Sequence, residues 1–199
     1  MANNMRKFKF TGNIPSEEEL DNLWENIKLE KSNAWTQAAD TLKNEINKMY
    51  SNGGVKLSKY KITQENPLNY FIINDRRFVE NIYKNNAVLE SRPYLGLNNE
   101  PPVIKVIEYF TDIYSLSGNL ARILGYGGAY TKGIEQRAAW KTAAEFVENE
   151  FEIRFEEFNY YIVEIENAKW FYDVAWDYSF IIADTTKNEI VFIDITDTD

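Results

Sequence analysis

The residues with the most chemistry to offer are the aspartates set among aromatics between Trp170 and Asp199. Asp173 and Asp177 follow Trp170, Phe171 and Tyr172, with Trp176 between them. Asp194, Asp197 and Asp199 close the stretch. Carboxylates in that number can ligate Mg²⁺ or Ca²⁺, or divide into an acid and a base. Other chemistries are closed off. The chain has no histidine and no cysteine. That removes Ser–His and Cys–His nucleophile systems, imidazole or thiolate zinc sites, and disulfides.

Strand alternation bears on whether those aspartates meet. Residues 170–177 read as the start of a strand. Trp170, Tyr172, Val174 and Trp176 then form one row, and Phe171, Asp173, Ala175 and Asp177 the other. Asp173 and Asp177 would stand about 13 Å apart, too far for a joint metal site or a glycosidase pair. Asp194 from a neighbouring strand, or Asp184 and Asp197, would have to close the gap. The competing reading has each aspartate capping a turn, bonding a loop backbone or facing solvent, and the sequence favours it. The ending Asp194 to Asp199 lacks the glycine and the closing glutamate of a calcium loop. No metal or cofactor is expected.

A second unusual stretch is Gly125-Tyr126-Gly127-Gly128-Ala129-Tyr130. It has neither the spacing and lysine of a P-loop nor a G-x-G-x-x-G pattern. It reads as a structural loop, with Tyr130 able to line a pocket and Lys132 and Arg137 nearby as weak anion contacts.

The net charge of -9 is unevenly spread. Residues 145–199 hold fifteen acidic side chains against Arg154, Lys169 and Lys187, a net of -12, whereas residues 1–144 carry +3. An acidic C-terminal surface repels nucleic acid and anionic membrane and suits a basic partner, or simply solubilises the chain. Fourteen of the thirty aromatics fall in 140–199. Without basic neighbours they suit a core or a protein interface better than base stacking.

These residues need elements to position them. A hydrophobic fraction of 44% marks a folded chain. The alternating Lys7–Phe10 suggests an edge strand. Ser16 and Glu19 form a capping box for a helix over 17–30, and Ser32 would cap a second over 33–50. Residues 55–74 read as a hairpin turning at Asn66-Pro67. Asp75 would cap a short helix holding Phe78, Val79, Ile82 and Tyr83. A loop over 85–102 leads to a helix within 103–124, with a strand possible at 103–109 because of its β-branched start. A helix over 134–150 carries Trp140, Ala143, Ala144, Val147 and Phe151 on one stripe. Strands over 155–165, 170–183 and 189–196 with short links predict an antiparallel meander.

The expected class is therefore α+β: a helical N-terminal half, and a C-terminal helix packed on an antiparallel meander sheet of at least three strands. The chain reads as a single domain over 1–199, with a possible helical subdomain over 1–100 and an α+β module over 101–199. Residues 1–10 lack the apolar core of a signal peptide, and no run approaches the ~20 apolar residues of a membrane span, so a cytoplasmic protein is expected.

The glycine loop Gly127-Gly128-Ala129-Tyr130, the helix after it, the run Trp170 to Asp177 and the ending Thr196-Asp197-Thr198-Asp199 together resemble a family of bacterial proteins. Its members are met in toxin-immunity neighbourhoods and include nuclear transport factor 2-like immunity proteins. The resemblance covers about seventy residues from the glycine loop onward. It implies an inhibitor and assigns no catalytic residue.

Three functions follow as expectations. The first is a non-enzymatic binding protein that masks a basic protein partner, with no nucleic acid and no membrane as partners. Its candidate partner- or ligand-binding residues are Tyr130, Asp173, Trp176, Asp177, Asp194 and Asp197. The second is a metal-dependent hydrolase using Asp173, Asp177 and Asp194, with Tyr130. The third is a structural or phage-related interaction module.

Overall fold

The computed structural model describes residues 16–63, 76–97, 100–110, 112–152, 154 and 157–198. Ser16 opens the first helix as its spacing predicts. Its hydroxyl accepts from the Glu19 amide, and the Glu19 carboxylate accepts from the Ser16 amide at 2.7 Å. This helix, α1, spans Glu17–Asn26 and gives way to a short strand, β1 (Leu29–Ser32). The next helix, α2 (Gln37–Met49), is capped by Thr36 rather than Ser32. It is followed by β2 (Gly54–Ile62), α3 (Arg76–Ile82), α4 (Asn86–Glu90) and a 3₁₀ turn (Pro93–Leu95). Then come β3 (Ile104–Phe110), α5 (Tyr114–Tyr126), α6 (Gln136–Phe151), β4 (Phe158–Ile165), β5 (Tyr178–Asp184) and β6 (Glu189–Thr196).

The six strands among the described residues form one sheet in the order β1-β2-β6-β5-β4-β3, every neighbour antiparallel. The class is α+β and the meander β4-β5-β6 is present. The sheet is larger than the sequence suggests, and the N-terminal half is not helical throughout, because β1 and β2 extend the sheet beyond β6. Alternation in β2 explains this. Val55 and Leu57 face one side, and Tyr60 and Ile62 the other.

Helices cover both faces. On one, α2, α5 and α6 bury Leu42, Ile46, Leu120, Ile123, Ala143 and Phe146 against Val55, Tyr160, Phe180, Ile182 and Ile193. On the other, α1, α3 and α4 bury Trp24, Phe78, Val79 and Val88 against Tyr60, Tyr161, Ile181 and Phe192. Trp24 meets Phe78 edge-on at 4.7 Å. Each such large side chain contributes about 1.5–3 kcal/mol on burial. Strands covered on both sides read as unbroken apolar runs, which accounts for Phe180 to Ala183 and Ile190 to Ile193.

Several expectations change. The β-branched start of 103–109 prevails, giving β3 with a register shift between Val106 and Glu108. The expected loop over 85–102 contains α4 and the 3₁₀ turn. The buried stripe of α6 is Ala139, Ala143, Phe146, Val147, Glu150 and Phe151, so Trp140 turns outward. Glu150 takes an inward position because it pairs with Lys59 of β2, whose ammonium also lies 4.5 Å from the Trp35 ring centroid. The strand at Lys7–Phe10, the turn at Asn66-Pro67 with the strand after it, and the Asp75 cap lie outside the described residues. Among the described residues, no helix is long and apolar enough to cross a membrane.

Candidate binding cleft

The run Trp170 to Asp177 is not a strand. It folds back as a connection between β4 and β5, held by one carboxylate. Asp177 Oδ2 accepts from the amides of Tyr172 and Val174 at 2.9 and 3.0 Å, and its Oδ1 accepts from Thr196 Oγ1 at 2.5 Å. Aspartate favours this side-chain-to-backbone capping over extended pairing. Asp173 sits at the bend with φ 58°, in the left-handed region that aspartate tolerates. Trp176 is half-buried against the core of the α2–α5–α6 face.

Folding this way opens a cleft of about 430 Å³ at the end of the sheet where β4 leaves and β3 enters. Val163, Ile165, Ala168, Phe171 and Val174 give it apolar walls. Glu164, Glu166, Asp173 and Asp177 supply carboxylates, and among the described residues Lys105 of β3 is the one cation that lines it. Lys105 Nζ pairs with Glu164 at 2.7 Å, both side chains more than half exposed. That hydrogen bond and charge, then the charges of Glu166 and Asp173, raise the Lys105 pKa above its ordinary value. The site therefore already holds a cation in its own negative field. Among the described residues no three carboxylates are grouped to hold a metal ion.

The other candidate aspartates lie elsewhere. Asp194 is fully buried on the α1–α3–α4 face of β6 and forms an ion pair with Arg92, also fully buried. Tyr94 OH and Ser179 Oγ donate to Asp194, each at 2.6 Å, and Arg92 Nε donates to Tyr94 OH at 3.0 Å. Tyr83 closes the group through Ser179 at 3.1 Å. The Arg92 guanidinium lies over the Phe192 and Tyr83 rings at 4.4 and 4.9 Å. Burial opposes the Arg92 charge, yet Asp194 and the two tyrosines hold its pKa well above the usual value. Burial first, opposed by Arg92 and reinforced by Asp194, pushes the Tyr83 hydroxyl up to about 12.

Asp197 is buried as a clasp. Its two oxygens accept from the amides of Asn52 at 2.9 Å and Ala129 at 2.8 Å, tying the end of α2 to the glycine loop. Gly128 is required there, since a Cβ would stand 2.3 Å from Asp197 Oδ2 and 2.5 Å from Met49 O. Tyr130 projects from the same loop and is 67% exposed. Of the six candidates, then, Asp173 and Asp177 share the cleft, Asp197 supports the loop that carries Tyr130, and Asp194 is bonded inside the sheet layer.

The C-terminal acidity is likewise divided. Glu150, Asp184, Asp194 and Asp197 are buried, with Lys59, Arg154 and Arg92 paired to the first three. Glu164, Glu166 and Asp173 are exposed at the cleft. Sequence reasoning passed over Lys105, Glu164 and Glu166. The alternation of Lys105 with Ile104 and Val106, once read as a strand, was the signal that marked it as outward-facing. Nothing local marked Arg92, which sits in a segment read as loop. In comparisons with family models, curated proteins and solved structures, none matches this chain at a significant level.

Proposed function

We propose that the protein is a non-enzymatic binding protein whose acidic cleft receives a basic side chain of a protein partner, in the manner of an inhibitor or immunity protein. The observation that carries this reading is the pairing of apolar walls with three exposed carboxylates, Glu164, Glu166 and Asp173, around the one lysine that lines the cleft among the described residues. Arginine and lysine have the matching form, an apolar stem under a cationic head. The partner's cation would displace Lys105 from Glu164 and meet Glu166 and Asp173. The resemblance to toxin-immunity proteins points the same way. Charge of this kind speeds encounter and fixes register more than it adds affinity.

Titration with lysine- and arginine-rich peptides of defined sequence tests it, at low and high salt. The variant Glu166→Gln/Asp173→Asn is expected to bind about tenfold more weakly at low salt, a loss of about 1.4 kcal/mol. Asparagine keeps the left-handed bend open at position 173. Equal binding by the two proteins refutes the reading.

A further inference from the structure

A surface of opposite character sits on the hairpin formed by α5 and α6. Between Asp112 and Glu145 the chain holds four basic side chains and one acidic, Glu135. Glu135 is committed, since its carboxylate accepts from the Arg137 and Ala138 amides, each at 3.0 Å, and caps α6. At the tip of the hairpin three large aromatics stand in solvent: Tyr126 at 73%, Tyr130 at 67% and Trp140 at 56% exposure. Lys132, Arg137 and Lys141, which lie close to them in the sequence, are exposed too. Lys141 reaches Glu145 at 3.6 Å, while Lys132 and Arg137 make no ion pair among the described residues. Arg137, Trp140 and Lys141 fall at i, i+3 and i+4, one face of α6.

The tip is also rigid. The Ile134 amide donates to Leu124 O at 3.0 Å and the Gly133 amide to Tyr126 O at 3.2 Å. Gly127 has φ 81°, and its Cβ would stand 2.2 Å from Thr131 O. The Asp197 clasp fixes Ala129 from behind. A surface ordered before binding loses little entropy when a partner arrives.

From this we infer that the tip of the α5–α6 hairpin is a docking surface for an acidic segment of a polypeptide, built from residues other than those that line the acidic cleft. Exposed tryptophan, tyrosine and arginine are the side chains that dominate protein–protein hot spots, and the neighbouring cations select acidic residues between the partner's apolar anchors. A nucleic acid fits less well, because few cations face it and the chain as a whole carries -9.

Fluorescence anisotropy with a labelled dodecapeptide of alternating Glu and Leu tests the inference, beside an oligo-thymidylate and a Lys/Leu peptide. The Glu/Leu peptide is expected to bind at micromolar concentration. Trp140→Ala, Arg137→Glu and Lys132→Glu each weaken it by about tenfold, with melting temperatures retained because the side chains are exposed. Glu166→Gln/Asp173→Asn leaves it unchanged, so failure here is distinct from failure of the cleft. Tighter binding of the oligo-thymidylate, binding unaffected by the three tip variants, or no binding of the Glu/Leu peptide at millimolar concentration overturns the inference.

Discussion

Replacing Asp194 by asparagine leaves the Arg92 guanidinium charged inside a layer that water does not reach. Both side chains of the pair are fully buried, and Arg92 already has one terminal nitrogen, Nη1, without an acceptor among the described residues. Asparagine keeps the shape and one acceptor oxygen. It turns the other side of the group into a donor, which must face Arg92 and Tyr94 or else Ser179, all donors in the native arrangement. Breaking a buried pair from one side costs about 3–5 kcal/mol. That is a large part of the roughly 5–15 kcal/mol that holds a domain folded. For a chain of this size each kcal/mol moves the melting temperature by about 2–4 °C, so Asp194→Asn is expected to melt about 6–20 °C lower. Calorimetry or thermal circular dichroism reads it directly. The double variant Arg92→Leu/Asp194→Leu should regain much of the loss, since apolar replacement of both partners is often near neutral. A fall of less than about 2 °C in Asp194→Asn, or a double variant no better than the single one, refutes the electrostatic account.

Two further outcomes follow from buried groups and close contacts. Burial raises the pKa of Tyr50, Tyr83, Tyr94 and Tyr160 above the ordinary 10.0, Tyr83 to about 12. The unfolded chain then loses these protons first, so their contribution is intact below pH 10 and is lost as the pH climbs through the folded values. Melting temperature should fall steeply above pH 10, with the tyrosinate absorbance of these four buried groups appearing only together with unfolding; a melting temperature that does not fall above pH 10 contradicts this. Gly128→Ala forces a methyl against Asp197 and Met49 O and should cost about 1–3 kcal/mol. A melt that does not move shows that the loop can shift away from the clasp.

What the sequence disclosed depended on whether the signal was local. The Ser16–Glu19 box and the strand over 189–196 are legible because capping chemistry and apolar runs lie within a few residues. Trp170 to Asp177 misled, because alternating aromatics imitate a strand while the deciding event is one carboxylate reaching back to two amides. In the α6 stripe Ala143, Val147 and Phe151 were legible, but Trp140 took the place of Ala139, and nothing near Glu150 reveals that Lys59, 91 residues away, draws it inward. The cleft was half legible. Asp173 and Asp177 stood out by type, but Lys105 and Glu164 become neighbours only through the β3–β4 register. Arg92 and Asp194 are 102 positions apart, and no spacing rule joins them.

The position of β6 has a consequence for how the molecule comes into being. Among the described residues it is the last of the six strands in chain order, yet it lies between β2 and β5 and joins β1-β2 to β3-β4-β5. During synthesis β1-β2 waits with an open edge until Glu189–Thr196 leaves the ribosome, whereas β3-β4-β5 is complete only at Asp184, just before β6. The β2 edge beside β6's vacant place is therefore bare for most of translation, the kind of surface that chaperones hold and that aggregates when they are scarce. Closure is then a single late event that also brings Asp194 to Arg92 and Asp197 to the glycine loop. A chain truncated before residue 189 would thus hold two separate half-sheets instead of a nearly finished protein.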